Sequence, residues 1–258
     1  MKQDDRTPFD RALQQARVSA YALGEYVEQE NFMVASEIRE LATVAGIRPG
    51  TTVLDLCCGV AGPGRFITRE FGCTYRGVDF SETAIEIARA RARAEGLDCS
   101  FDVAMVPPVP AGKFDVAMLL ETLLAFPEKR PLLKDVADAL EVGGRFAFTL
   151  EEGEPMTAAE GDLMPDADTV WLTPLHTMVA LLEGAGLQIT WQHECSDSHR
   201  AMASALADSF EADGAAISHQ IGQQALDELV AAHRLWSRWL ESGRVRKFAF
   251  VAEKIERT

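Results

Sequence analysis

The sequence predicts an α/β domain with a mostly parallel sheet of seven strands and helices on both faces. Three observations carry this expectation. The chain has 258 residues, 47% of them hydrophobic, which is enough for one large core in a single domain. β-branched apolar runs alternate with stretches of helical period, the order that lays helices over a parallel sheet. A glycine-rich turn follows the first of these runs directly, as at the carboxyl edge of an open α/β sheet.

Residues 1–46 read as a helical cap, because Phe32, Ile38, Leu41, Val44 and Ala45 recur at helical spacing among Glu and Arg. Turn residues Ile47–Gly50 introduce the first strand, Thr51–Leu56. A glycine turn leads to a helix through about Phe71, a strand near Tyr75–Val78, and a helix from Glu82 to Glu95 that Ser81 can N-cap. Strands near Cys99–Val103 and Phe114–Leu120 flank a proline-rich turn. A helix over Lys129–Leu140, ended by Gly143-Gly144, precedes a strand at Arg145–Leu150 and completes the 47–150 core. Within 151–258, Glu151 to Asp168 reads as a long surface loop and candidate cover. A helix near Pro174–Glu183, a strand from Leu187 to His193, a helical insertion over about 198–240 and a strand from Val245 to Ala252 close the domain.

Charge and composition remove several classes. A formal net charge of −15 opposes a phosphate backbone, so no nucleic-acid partner is expected. Arg89, Arg91 and Arg93 lie on a helical stretch and read as a solvated face. No apolar run reaches the roughly 18 to 20 residues of a bilayer span, and Met1–Asp5 lacks a signal-peptide pattern, so a cytoplasmic protein away from the membrane is expected. The five cysteines read as buried, reduced thiols. With no His/Cys/Asp cluster at metal spacing, no metal is expected.

The central constellation is Asp55-Leu56-Cys57-Cys58-Gly59-Val60-Ala61-Gly62-Pro63-Gly64, followed by Asp79-Phe80-Ser81. Small residues after a buried strand let backbone approach a ligand closely, and an acid ending the next strand can accept both hydroxyl hydrogens of a ribose. A nicotinamide site is the weaker reading, since this turn runs G-x-x-G-x-G rather than G-x-G-x-x-G. Over roughly Val53 to Leu150 the chain resembles the class I S-adenosylmethionine-dependent methyltransferases of the small-molecule branch, which have a Rossmann-like fold. The resemblance implies that Asp55 lies near the cofactor's amino-acid portion, that the turn at Cys57, Gly59, Gly62 and Gly64 passes beneath it, and that Asp79 holds the ribose. Phe80, Ala104, Met105, Leu120 and Tyr21 are further expected contacts. Cys57 and Ala61 stand where glycine is usual, and the acid usual after the third strand is replaced by Ala104-Met105-Val106.

Methyl transfer from S-adenosyl-L-methionine to a small-molecule acceptor needs nucleophile and methyl held in line, with a base only where the acceptor loses a proton. Glu121, directly after the fourth strand, is a candidate for this site, although Ala125 stands where related enzymes often carry a histidine. Asp197 and His199 follow the sixth strand and are candidates on the acceptor side, His199 as base, with helix capping the competing role for this segment. Tyr21, Tyr26 and Phe32 are candidate lid aromatics. Trp171 is a candidate pocket wall, and Trp236 and Trp239 read better as core. The acids Glu151, Glu152 and Glu154 read as solvated first, and otherwise as attracting a cationic amine acceptor or helping to bind a divalent ion for a phosphorylated one. A monomer or homodimer is expected. A binding protein without catalysis, or a relative catalysing a different reaction, are the competing functions.

Overall fold

The coordinates are a computed structural model describing residues 8–29, 32–165 and 167–256. The Met1–Asp5 stretch lies outside the described residues. The strands are β1 (Thr52–Leu56), β2 (Thr74–Asp79), β3 (Cys99–Val103), β4 (Phe114–Leu119), β5 (Leu140–Glu152), β6 (Leu187–Glu194) and β7 (Arg246–Lys254). They form one sheet in the order β3-β2-β1-β4-β5-β7-β6, with β7 antiparallel to both its neighbours and the remaining pairs parallel. The helices are α1 (Pro8–Ala20), α2 (Ala35–Val44), α3 (Gly62–Phe71), α4 (Glu82–Glu95), α5 (Lys129–Ala139), α6 (Ala158–Gly161), α7 (Leu175–Ala185), α8 (Ser196–Ala212), α9 (Gly214–Ile221) and α10 (Gln223–Ser242).

Alternation along each strand divides the core in two. Val53, Tyr75 and Val116 pack with Ile38 and Leu41 of α2, Ile67 of α3 and Ile85 of α4. Leu54, Ala117 and Phe148 face the other way, against Leu132 and Val136 of α5 and Met178 and Leu182 of α7. A third apolar cluster joins Leu13 and Ala16 of α1 to Leu206 and Phe210 of α8, Ile217 of α9 and Leu226 of α10. This helical cap packs around itself more than on the sheet. The strand order reverses beside β1, so the crevice outside the carboxyl ends of β1 and β4 is the position where open α/β sheets bind ligands.

Several element boundaries differ from the sequence reading. Among the described residues, the 1–46 cap holds two helices, α1 and α2, and Glu28 between them lies against the glycine turn. Gly143 and Gly144 do not end a helix. They lie within β5, in an irregularity between its pairing of Leu140 with Phe114 and of Arg145 with Val116, where Gly143 has a φ of +77°. Glu151 and Glu152 are not loop residues but the last of β5, and Glu151 is buried. The segment beyond them holds α6 and a 3-10 turn, Ala167–Thr169. The helical insertion is three helices, broken at Asp213 and Gly222. Ser81 does cap α4, its hydroxyl accepting the Ala84 N–H at 3.2 Å. Among the described residues, no helix is long and apolar enough to cross a membrane.

Candidate active site

The turn after β1 is built from backbone that few side chains tolerate. Cys57 and Ala61 have φ near +57° and +56°, and Glu121, just past β4, has +59°. These are the three non-glycine residues of the described chain in the left-handed region, and such strain persists only where surrounding contacts hold it. At Glu121 one such contact is its N–H, which donates to the Thr149 hydroxyl at 2.6 Å.

Gly62 and Gly64 act by their lack of a side chain. A Cβ on Gly62 would lie 1.7 Å from the Glu28 carbonyl oxygen, and one on Gly64 would lie 2.1 Å from the Tyr75 ring. Glycine at 62 therefore lets the segment joining α1 and α2 lie directly on the turn. Glu28 is held there by Arg65 at 2.8 Å and Arg91 at 2.7 Å. The expectation that Arg91 belongs to a solvated face is thus corrected, because it ties α4 to the cap.

A cleft of about 420 Å³ opens between this segment, the turn and the end of β4. Asp55, Cys57, Gly59, Leu120 and Glu121 line it, together with Arg17, Tyr26 and Gln29 from the cap. Asp55 is buried and accepts the Tyr75 hydroxyl hydrogen at 2.6 Å. Burial pushes its pKa up to about 7; the Tyr75 hydrogen bond opposes this and the nearby Asp79 charge adds to it. Asp79 lies behind the lining and braces both rims, its two oxygens accepting the Gly59 and Ser81 N–H groups at 2.8 Å each. Desolvation raises the Cys57 thiol to about 12, so the Cys57-Cys58 pair stays protonated.

Other expected contacts fall outside the cleft wall. Phe80 and Met105 are each 67% exposed, since both follow strand ends on the outer rim. Ala104 donates its N–H to the Asp79 carbonyl and packs on the sheet instead. Tyr21 is buried behind Tyr26, with ring centroids 5.2 Å apart. Gly62 and Gly64 shape the wall from behind.

A second cavity, about 310 Å³, adjoins the cleft and shares Arg17 and Glu121 with it. Phe32, Leu206, Leu229 and Trp236 supply apolar wall, while Glu151, His199, His233 and Lys247 supply polar groups. Lys247 is buried, 2.5 Å from Glu121 Oε1 and in direct contact with Glu151 Oε1. Burial would lower its pKa, but the two carboxylates outweigh that and raise it, so the ammonium is retained. For Glu121, burial raises the pKa, but Lys247 and His199 reverse the shift and hold the carboxyl below its ordinary value. Glu151 sits directly opposite Lys247 in the β5–β7 register. The solvated reading of Glu151 is therefore wrong.

His199 is fully buried in the first turn of α8. Its Nε2 donates to Glu37 Oε2 at 3.2 Å. Nδ1 has no hydrogen-bond partner and lies 3.9 Å from Glu121 Oε2. Burial alone would raise the Glu37 pKa, but hydrogen bonds from His199, from Ser198 at 2.5 Å and from the Val34 N–H bring it below the usual carboxylate value. Sequence reasoning missed Glu37, because its pairing with His199 spans 162 positions.

Asp197 does not join this group. Its side chain is fully exposed, with Arg200 4.0 Å away, because its position in the first turn of α8 turns it outward while His199 turns inward. Trp171 is likewise half exposed, its indole N–H donating to the Asp168 carbonyl. Trp236 lines the cavity rather than filling core. Among the described residues, ligand atoms of Glu37, Cys195 and His199 lie within 4.8 Å of one another. Burial raises the Cys195 thiol pKa, and the thiol donates to the Lys247 carbonyl at 3.6 Å, so this sulfur is a protonated hydrogen-bond donor.

Residues 53–144 match the methyltransferase domain family. The chain is 30% identical over 176 residues to methyltransferase GfsG of Streptomyces halstedii, covering 64% of this chain and 63% of that one. It is 28% identical over 136 residues to a sarcosine/dimethylglycine N-methyltransferase of Halorhodospira halochloris, covering 50% and 47%. The chain thus spans less than two thirds of these curated relatives. Among solved structures, a mycolic acid cyclopropane synthase complexed with SAH and CTAB has a TM-score of 0.80 at 11% identity, covering 95% of this chain and 94% of that one. The [4+2]-cyclase SpnF has a TM-score of 0.75 at 18% identity, covering 96% and 94%. At these identities the structural likeness concerns the fold.

Proposed function

We propose that this chain, which carries a class I methyltransferase domain, is an enzyme that transfers a methyl group from S-adenosylmethionine to a small molecule. The observation that carries the reading is the junction of the two cavities. The glycine-turn cleft and the largely apolar cavity meet at Arg17 and Glu121, so a donor in one and an acceptor in the other can come together there.

The cleft's own residues fit the donor. Asp55 is a buried carboxyl with no ion pair among the described residues, a deficiency that the cofactor's ammonium group removes. Asp79 spends one lone pair of each oxygen on a backbone N–H and keeps others for ribose hydroxyls. The ring of Tyr26 gives the cleft an aromatic face, which attracts a sulfonium. When bound, S-adenosylmethionine supplies the electrophilic methyl group. The chain does the rest by excluding water with the pinned cap and by holding the acceptor in line.

His199 is the proton acceptor of this reading. Glu37 holds its Nε2 and so its orientation, and Nδ1, which has no hydrogen-bond partner, faces the shared wall near Glu121. Glu121 borders both cavities, and its charge is maintained by Lys247.

Calorimetric titration with S-adenosylhomocysteine tests the donor site directly. Micromolar binding is expected, weakened at least tenfold in Asp79→Ala. Unchanged affinity in that variant would end the ribose assignment. Formation of S-adenosylhomocysteine from S-adenosylmethionine across a metabolite panel tests the enzyme, and no turnover with any member would favour a binding protein.

A further inference from the structure

The polar groups of the second cavity are unevenly satisfied, and the imbalance points to a substrate class. Its four charged lining residues sum to zero, since Arg17 and Lys247 stand against Glu121 and Glu151. With these formal charges balanced, the lining holds no net charge for an ionic ligand to neutralise. Part of its hydrogen-bonding capacity is unmet. Glu151 Oε2 and His199 Nδ1 are buried atoms with no hydrogen-bond partner, although Glu151 Oε1 is engaged by Lys247 and His199 Nε2 by Glu37. A third lining group offers an acceptor. His233 Nδ1 donates to the Leu229 carbonyl at 2.8 Å, and burial, opposed by that hydrogen bond and reinforced by Arg17, lowers its pKa, so Nε2 is also an acceptor.

Buried acceptors without donors are costly, and a site built around them selects the ligand that supplies the missing hydrogens. Phe32, Leu206, Leu229, Trp236, Leu240 and Val245 make the remaining wall apolar. The volume, about 310 Å³, is at the lower end of what drug-sized ligands occupy.

Resting on the methyltransferase reading, we propose that the acceptor is a neutral, largely apolar molecule bearing two hydroxyl groups, one methylated beside His199 and one anchored by Glu151. The reacting hydroxyl gives its proton to His199 Nδ1. An oxygen electron pair forms the new C–O bond, and the methyl–sulfur bond breaks with its pair remaining on sulfur, which turns the sulfonium into a neutral thioether. The second hydroxyl donates to Glu151 Oε2 and does not react. Glu151 is in this account a specificity residue.

The test uses protein saturated with S-adenosylhomocysteine and named probes. 2-Naphthol carries one hydroxyl; 2,3-, 1,3- and 2,7-dihydroxynaphthalene carry two at increasing separation; 2-naphthylmethylamine carries an ammonium. At least one diol is expected to bind roughly ten- to a hundredfold tighter than 2-naphthol, the range of a hydrogen bond to a charged partner. That advantage is expected to vanish in Glu151→Gln, where the side-chain oxygen stays with Lys247 and an NH₂ group faces the cavity. Turnover with S-adenosylmethionine should leave one hydroxyl of that diol free. Equal binding of diols and 2-naphthol, no binding by any diol, or tightest binding by the amine would each overturn the proposal. The wild-type comparison stands alone if the variant fails to fold. Failure to bind S-adenosylhomocysteine at the outset would overturn the methyltransferase reading instead.

Discussion

Replacing Asp55 by Asn should make the ligand-free protein more stable, and increasingly so as pH rises. Asp55 is a fully buried acid whose pKa is raised from 3.8 to about 7, first by desolvation, with Tyr75 opposing and Asp79 adding to the rise. The unfolded chain ionises this carboxyl near pH 4 while the folded chain keeps its proton to about pH 7. Across that window the folded state binds more protons, so raising the pH costs stability, and the loss is complete above the folded pKa. A shift of about three units corresponds to about 4 kcal/mol at pH 8. Asn does not titrate, and its side-chain oxygen can still accept the Tyr75 hydrogen. The stability difference between Asp55→Asn and wild type should therefore grow by about 2 to 4 kcal/mol from pH 4 to pH 8. In a chain of this size that is about 4 to 16 °C in midpoint temperature. Thermal unfolding of both proteins at pH 4, 6 and 8, without cofactor, measures it. A difference that stays constant with pH would refute the burial argument, whatever its size. The same variant should bind S-adenosylhomocysteine at least tenfold more weakly, since Asn offers no charge to the cofactor's ammonium. Stability gained with affinity lost is the signature of a group retained for ligand binding.

Lys247→Met should leave two buried carboxylates unpaired and cost about 3 to 5 kcal/mol, seen as a lowered unfolding midpoint; adding Glu151→Gln should recover part of it, and a neutral single variant would contradict the assigned ion pairs. Glu37→Gln should leave cofactor affinity unchanged but lower the methylation rate by about tenfold or more, because His199 loses its charged orienting partner; an unchanged rate would show that His199 is not the base. Gly62→Ala should weaken S-adenosylhomocysteine binding at least tenfold without unfolding the protein, since a Cβ 1.7 Å from the Glu28 carbonyl must push the cap segment off the turn. Wild-type affinity in that variant would mean that the cap does not help close the cleft.

The glycine-turn cleft was legible in the sequence because its signals are local. Asp55, Cys57 and Gly59 lie within five positions of one another, and Asp79 ends the next strand, so the turn and the ends of these two strands follow from pattern alone. The limits of that reading also have local causes. Phe80 and Met105 follow strands whose ends were legible, but the direction of a residue just past a strand is set by the next turn. Gly62 and Gly64 were read as ligand contacts, whereas their missing side chains admit Glu28 and Tyr75. Only the folded cap reveals that.

The acceptor side was harder to read because it depends on register and distant pairing. Lys247 and Glu151 are 96 positions apart and meet because β7 runs antiparallel to β5 with these two residues opposed. A one-residue slip would turn Lys247 to the other face and bury a charge with no partner. The one sequence signal was a charged pair, Arg246-Lys247, leading a strand otherwise buried on both faces, since a cation in such a strand requires an acid from a neighbour. The antiparallel β7 therefore does more than close the sheet. It carries Lys247 to the carboxyl ends of β5 and β4, where one ammonium pairs with both Glu121 and Glu151. Glu121 lines both cavities and Glu151 only the second, so the same cation ties the walls of the two together.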